Sequence, residues 1–451
     1  MKHRTLNKLI ALSFSLFTVT TSMAQTSRSL SLDEAITLTL QNSNELKLSG
    51  AKIKEASAAA REARERRLPD FKLSGSYIRL TQPDMDLKVK LGSSSQQQTG
   101  EGSTTAAASP VVNQAMYGIA NVSLPLFTGF KIQYGIEAAK YLEQAARLDA
   151  EKDRDAVIQN TVAAYSNLYK AKAALELVKE NLKQSEQRVK DFTNLEKNGL
   201  MARNDLLKAQ LQQSNVELTL VDAQNNYELS SINMNLMLGL PENTMLVAES
   251  DAMNQTMDAG TFENWQTIAL QHRTDAAALQ YREKAAGAGV KAAKGDYFPN
   301  IALTGGYIAA HIPNFITLTN ALNGGVGFSY SPSSLWKNGA KVAQAKAQLE
   351  QVQINRGILS DAIRLQVAQA YQSYLSMVKK LDVYEKAVQQ ASENYRITKN
   401  KYDNSLATTT DLLDADVAQL QAKINQTNGK ADAMVAYKKL LQTTGILYQQ
   451  P

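Results

Sequence analysis

Two stretches of the chain place apolar and small residues at alternating steps of four and three. One runs Ile363, Val367, Ala370, Tyr374 and on through Leu381 and Tyr395 to Tyr402. The other lies 206 residues earlier, from Val157 through Leu168, Leu175 and Phe192 to Glu196. A sustained seven-residue period predicts paired helices with a left-handed supercoil. No proline interrupts Leu126–Leu240 or Ser333–Gln450. The first long helix is therefore predicted from about Lys131 to Lys197, roughly 100 Å at 1.5 Å per residue.

Other segments alternate with a period of two, the mark of a strand with unlike faces. "DMDLKVKL" (Asp84–Leu91) alternates throughout. Phe71, Leu73 and Tyr77 share a face, as do Val122, Leu124 and Leu126. Ile301, Leu303 and Tyr307 follow the same rule, then Val326, Phe328 and Tyr330. Aromatics near strand ends suit a lipid-interface girdle, although a soluble sheet with one buried face would alternate in the same way. The polar stretch "GSSSQQQTGEGSTTAAASP" and the later "HIPNFITLTNALNGG" read as loops between strands.

The chain repeats itself. Ala164-Tyr165 returns as Ala370-Tyr371, Asp205-Leu206-Leu207 as Asp411-Leu412-Leu413, and Gly239 as Gly445, each 206 residues on. Leu68-Pro69-Asp70 matches Phe298-Pro299-Asn300, Gly75 matches Gly305 and Tyr77 matches Tyr307, all 230 apart. Each half thus reads helix, strand, strand, long helix, bend, helix. Residues 25–238 form the first repeat, 239–262 an irregular insert packed beside the helices, and 263–451 the second repeat. The fold class is mixed α and β, mostly α and internally duplicated. Four strands cannot close a barrel, and lipid does not tolerate open sheet edges. Strands that cross a membrane would have to share one barrel among several copies.

Composition narrows the picture. Lys2, Arg4 and Lys8 precede "LIALSFSLFTV", and Ser22-x-Ala24 offers a cleavage site, so residues 1–24 read as a secretory signal peptide. Removing it takes three positive charges from the formal +6, leaving +3, and nucleic-acid binding is not indicated. The absence of cysteine excludes disulfides and thiolate chemistry. His272 and His311 have no acidic or serine partners at motif spacing, and no P-loop, HExxH or glycine-rich nucleotide fingerprint occurs. The expectation is no catalytic residue, no metal and no cofactor. A structural coiled coil or adhesin of the cell envelope is the alternative to a channel.

Three local motifs carry a family resemblance. They are "LPLFTGFK" (Leu124–Lys131), "SPSSLWKNGAK" (Ser331–Lys341) and "YDNSLATTTDLLDA" (Tyr402–Ala415), in order and at repeat spacing. With the duplicated plan they resemble the outer-membrane efflux proteins, the TolC-like channel-tunnels, over the whole mature chain. The resemblance implies a homotrimer in the outer membrane, with a shared transmembrane β-barrel and an α-barrel of long coiled-coil hairpins in the periplasm. Such a channel is a passive exit duct for efflux or type I secretion. Its partners would be a periplasmic adaptor, an inner-membrane pump and outer-membrane lipid. The family's strand–helix junctions fall at Pro125 and Gly129, and at Pro332 and Gly339. Its adaptor-docking hairpin ends fall at Gly199 and Leu200, and at Ser405 and Leu406. Its pore constriction falls at Tyr402, Asp411 and Asp414, with Asp411 and Asp414 three apart on one helix face. In the other hairpin Lys208 stands where Asp414 would be. A helix N-cap is the competing role for Asp411. Ala407 departs from the pattern where some members carry a gating arginine.

Overall fold

The computed structural model describes residues 28–81, 112–253, 260–313 and 316–448. The signal peptide, the Asp84–Leu91 strand and the polar stretch after it lie outside them. The chain forms two compact units, and each draws on both halves of the sequence.

The first unit takes the residues up to Ser49, then Glu151–Arg273, then Asp361 onward. It holds β1 (Arg28–Leu30), α1 (Leu32–Asn42), α4 (Arg203–Leu238), β4 (Leu246–Ala248), α5 (Phe262–His272) and α8 (Thr409–Thr444). It also holds the later parts of α3 (Lys131–Lys197) and α7 (Ser334–Asp403). The long-helix bounds follow from the proline-free heptad runs. Every predicted seam position on both helices is buried or half-buried, and none is exposed. Apolar burial along that seam holds the helices together.

The repeat offsets have structural causes. Gly239 and Gly445 end α4 and α8 in the left-handed conformation, at φ 71° and 76°. That conformation is open to glycine without a Cβ penalty. The 230-residue offset extends further than the sequence motifs indicate, since α1 and α5 begin and end 230 residues apart. Their N-caps, Ser31 and Thr261, also obey it. The repeated tyrosines anchor the chain that runs outside the helices. Tyr165 is fully buried, its hydroxyl 2.9 Å from the Leu30 carbonyl and 3.0 Å from that of Glu249. Tyr371 donates to the Gly260 carbonyl at 3.3 Å.

The 239–262 segment is not wholly irregular. Leu246–Ala248 pairs in parallel with Arg28–Leu30. Three residues are too few to show a period, so both strands escape a pattern search.

The second unit comprises Gly50–Ala150 and Thr274–Ser360. It holds most of α2 (Asn44–Glu65), α6 (Thr274–Lys294) and an antiparallel sheet in the order β2 (Asp70–Arg79), β3 (Gln114–Thr128), β5 (Asn300–Ile312), β6 (Ile316–Ser329). Register gives the sheet two unlike faces. Phe71 faces Val122, Leu73 faces Ala120 and Tyr77 faces Met116 across β2–β3. Leu124 faces Leu303, which faces Val326, and Ile301 faces Phe328. These share one face, and Phe71, Leu73, Val326 and Phe328 stand at least two-thirds exposed on it. The opposite face carries Asp70, Lys72, Ser74, Asn121, Ser123, Thr304 and Asn323. The stretch expected as a loop after His311 is mostly strand, ending β5 at Ile312 and opening β6 at Ile316, and Leu126 corrects the predicted alternation. The register shifts between Pro125 and Phe127, so Leu126 is the bulged residue and Phe127 opposes Ile301. Among the described residues, β2 and β6 each lack a neighbour on their outer side. No described helix is long and apolar enough to cross a membrane.

Candidate functional site: the helical hairpin ends

Both hairpins turn where the sequence places the bends. α3 ends at Lys197 and α4 starts at Arg203; α7 ends at Asp403 and α8 starts at Thr409. Each bend needs one left-handed residue. Gly199 supplies it at φ 71°, and Ser405, 206 residues on, supplies it at φ 60°. The following residues, Leu200 and Leu406, project with three-quarters of their surface exposed. A single exposed leucine is ordinary on a protein surface; these two stand out only because they occupy equivalent places in both bends, 206 residues apart.

Tyr402 does not stand free. It packs on a cluster of Phe192, Leu206, Ala209 and Leu412, its ring 5.6 Å from that of Phe192. Burial raises its pKa, and a hydrogen bond with Thr409 works the other way. Asp411 and Asp414 are both exposed on α8. Asp411 belongs to a capping box, but the N-cap itself is Thr408, so the predicted cap role moves by three residues. Thr408 N–H donates to Asp411 Oδ2 at 2.9 Å, and Asp411 N–H donates to Thr408 Oγ1 at 3.2 Å. The Thr408 hydroxyl also donates to Asp411 Oδ2, at 2.7 Å, and the two bonds that Thr408 donates hold the Asp411 pKa below the usual carboxylate range. They use one carboxylate oxygen and leave the other to solvent. Lys208, at the place of Asp414 in the first hairpin, sits 3.4 Å from both Asp205 Oδ1 and Thr410 Oγ1.

Sequence reasoning missed the polar centre above these bends. Arg188 on α3 and Asp416 on α8 form an ion pair, Nη1 to Oδ2 at 3.0 Å, with side chains less than one-tenth exposed. Asn181 Nδ2 also reaches Asp416 Oδ2, at 3.3 Å, and Arg188 Nη2 reaches Tyr395 OH on α7 at 3.4 Å. Burial opposes the Arg188 charge, but Asp416 and Tyr395 offset it and its pKa is raised. One network thus ties α3, α7 and α8. The available signal was that Asn181 and Arg188 are seven apart beside the seam, where charges usually read as solvated.

The strand–helix junctions are built less symmetrically than the motifs suggest. Pro125 begins the β3 bulge, and Gly129 is left-handed at φ 62°. A Cβ on Gly129 would lie 2.1 Å from the Gly295 carbonyl oxygen, so the two glycines are packed back to back. Pro332 lies in the turn before α7, but Gly339 is the sixth residue of α7 and not at the junction.

The sequence profile of the family described as Outer membrane efflux protein matches residues 35–240 and again 265–446. The two matches start 230 residues apart and end 206 apart, the same two offsets that the repeat shows. Outer membrane efflux protein BepC of Brucella suis is 24% identical over 358 residues, covering 77% of this chain and 76% of BepC. The outer membrane protein VceC of Vibrio cholerae superposes with a TM-score of 0.71 at 20% identity, over 92% of this chain and 96% of VceC. The CmeC outer membrane channel of Campylobacter jejuni does so at 0.72 and 19%, over 92% and 85%. The chain belongs to the outer membrane efflux protein family, with the fold of the TolC-like channels it superposes on.

Proposed function

We propose that three copies of this chain close one β-barrel and one helical tunnel, a passive exit duct for a tripartite efflux or type I secretion system. The protein is a conduit and not an enzyme, so substrate choice lies with the pump.

The observation that carries this reading is a broken internal symmetry. Faces buried in one repeat lie bare in the other. On α3, Gln159, Ser166 and Arg188 are buried, while their counterparts 206 residues on, Leu365, Gln372 and Asn394 of α7, are exposed. On α8, Leu413 and Asp416 are buried, while Leu207 and Gln210 of α4 are exposed. Within the chain α3 and α8 meet through Arg188 and Asp416. The equivalent faces of α7 and α4 are complementary by the same symmetry, and a second copy would let them meet. Leu207, Leu211, Leu218, Val221, Leu229 and Leu236 fall on one side of α4, each more than half exposed. A water-facing helix carries no such stripe unless something covers it. The unpaired outer strands of the sheet call for the same neighbours.

In such a trimer Asp411 and Asp414 form two stacked rings of three carboxylates at the narrow end, with Tyr402 packed behind them. The exposed Leu200 and Leu406 offer apolar contacts to an adaptor. Planar bilayers test the rings. Asp411→Asn with Asp414→Asn should weaken block by a trivalent cation while the trimer persists. Equal block in wild type and double variant would remove both aspartates from the pore.

A further inference from the structure

We infer that the helix-side rim of the sheet is a docking surface for anionic phospholipid headgroups, centred on Trp336 with Lys337 and Arg67. The inference rests on the shared-barrel reading and assigns that barrel a lipid partner at one depth.

The apolar face of the sheet does not stop at the last strand residues. Phe127 touches Phe130 edge-on at 5.3 Å and Phe298 at 6.5 Å, and both partners are about half exposed. Phe130 holds a left-handed φ of 62°, directly after Gly129. A non-glycine residue there is strained, because its Cβ crowds the following carbonyl oxygen. Strain that persists points to a role for the side chain it presents. Here it turns an aromatic ring outward at the end of the apolar face.

The start of α7 repeats the arrangement. Asn338 is buried and donates to the Ala293 carbonyl at 2.9 Å, and Val342 is buried one turn later. Those contacts fix which side of α7 faces inward. Trp336 lies about 160° round the helix from Asn338 and is 70% exposed. α7 begins five residues after β6 ends, so Trp336 stands close to the rim. An indole at such a boundary, apolar body and polar N–H together, fits the headgroup zone of a bilayer.

Charge selects the lipid. Lys337 beside Trp336 and Arg67 just before β2 are exposed, with no acidic partner among the described residues. Asp296 is already bound by both Lys131 and Lys341. β2 and β6 are the outer strands of the sheet, so Arg67 and Lys337 flank opposite edges of one chain and come together only where two copies join in the shared barrel; there the rim carries uncompensated cations, which complement phosphate diesters with a net negative charge.

The chain has two tryptophans, and Trp265 is buried. Trp265→Phe leaves Trp336 as the sole indole; if that variant folds poorly, the difference between wild type and Trp336→Phe gives the same signal. The full channel is placed in phosphatidylcholine vesicles with or without phosphatidylglycerol, brominated near the headgroup or near the chain end. Trp336 emission should be quenched by the shallow bromine far more than by the deep one. Phosphatidylglycerol should be enriched around it, and Lys337→Gln or Arg67→Gln should each lower that enrichment about fivefold. A conducting channel whose Trp336 no bromolipid quenches would overturn the inference alone, by placing the rim against protein or the lumen. Quenching without preference for phosphatidylglycerol would overturn the headgroup assignment. A protein that neither inserts nor conducts would overturn the barrel reading beneath it.

Discussion

The two helical hairpins are the same device built with different chemistry. Both turn over five residues and both end in a left-handed glycine. The first hairpin makes its bend with Gly199 and starts α4 at Ala202, which offers no side-chain cap. The second makes its bend with Ser405 and starts α8 with the Thr408–Asp411 capping box. Deeper in, Val178 and Ala223 of the first copy become Tyr384 and Gly429 in the second. A Cβ on Gly429 would lie 2.6 Å from the Tyr384 ring, so the larger ring requires the smaller partner. The charged pair Arg188–Asp416 has only Asn394 and Gln210 at the equivalent places. A duplicated fold can drift at single positions when a neighbour compensates. On the proposed trimer, the positions that differ without local compensation are those that meet a neighbouring copy.

Breaking the comparison at the ion pair should have the largest effect. Asp416→Ala leaves a buried guanidinium unpaired and should cost about 3–5 kcal/mol. Gln210→Ala, its counterpart, should stay within about 0.5 kcal/mol. Denaturant midpoints of the detergent-solubilised protein measure both, and similar costs would mean that the pair is not buried. The packing exchange comes next. Gly429→Ala should destabilise by about 1–3 kcal/mol through overpacking. Adding Tyr384→Val, which recreates the first copy's pair, should recover most of that loss; additive costs would refute the steric coupling.

A third comparison titrates. Asp155 on α3 is half-buried, and burial pushes its pKa up to about 6, partly opposed by Arg154. Arg154 also stacks on the Tyr448 ring, 3.4 Å from its centre. Because the folded pKa is raised, the stability linked to Asp155 is fully present below its unfolded pKa near 4. It is lost as pH rises through 6. Asp155→Asn should therefore stabilise at neutral pH, by about 1–2 kcal/mol after discounting for partial exposure, and lose that advantage toward pH 4. Asp361, its counterpart 206 residues on, is exposed. Exchanging the tips should give the smallest effects. Ala202→Thr gives α4 the cap it lacks, and Ser405→Gly relieves the left-handed serine; each should gain about 1 kcal/mol in thermal unfolding.

The helices were legible because seven-residue seams and proline-free runs encode them directly, and the bounds Lys131–Lys197 follow from the residues alone. The bends were legible because two copies agree on where the seam stops. The Arg188–Asp416 pair was not, since a charge beside a seam looks like any solvated charge until the partner helix is in place. The role of Asp411 was half legible. Its position three residues past a threonine indicates capping, but which residue is the N-cap depends on backbone angles. Leu126 was misplaced because a bulge inserts one residue and leaves no trace in an alternation read from one strand.

The central claim is that α4 of one copy meets α7 of the next, as α8 meets α3 within the chain. The chain lacks cysteine, so no native thiol interferes with a cross-link. Gln210→Cys and Asn394→Cys introduced together place one thiol on each face, and a short bis-maleimide is added to detergent-extracted protein. The account predicts covalent dimers and trimers on a denaturing gel, absent from either single variant. A double variant that stays monomeric on the gel, from protein whose native mass is that of three chains, would contradict it.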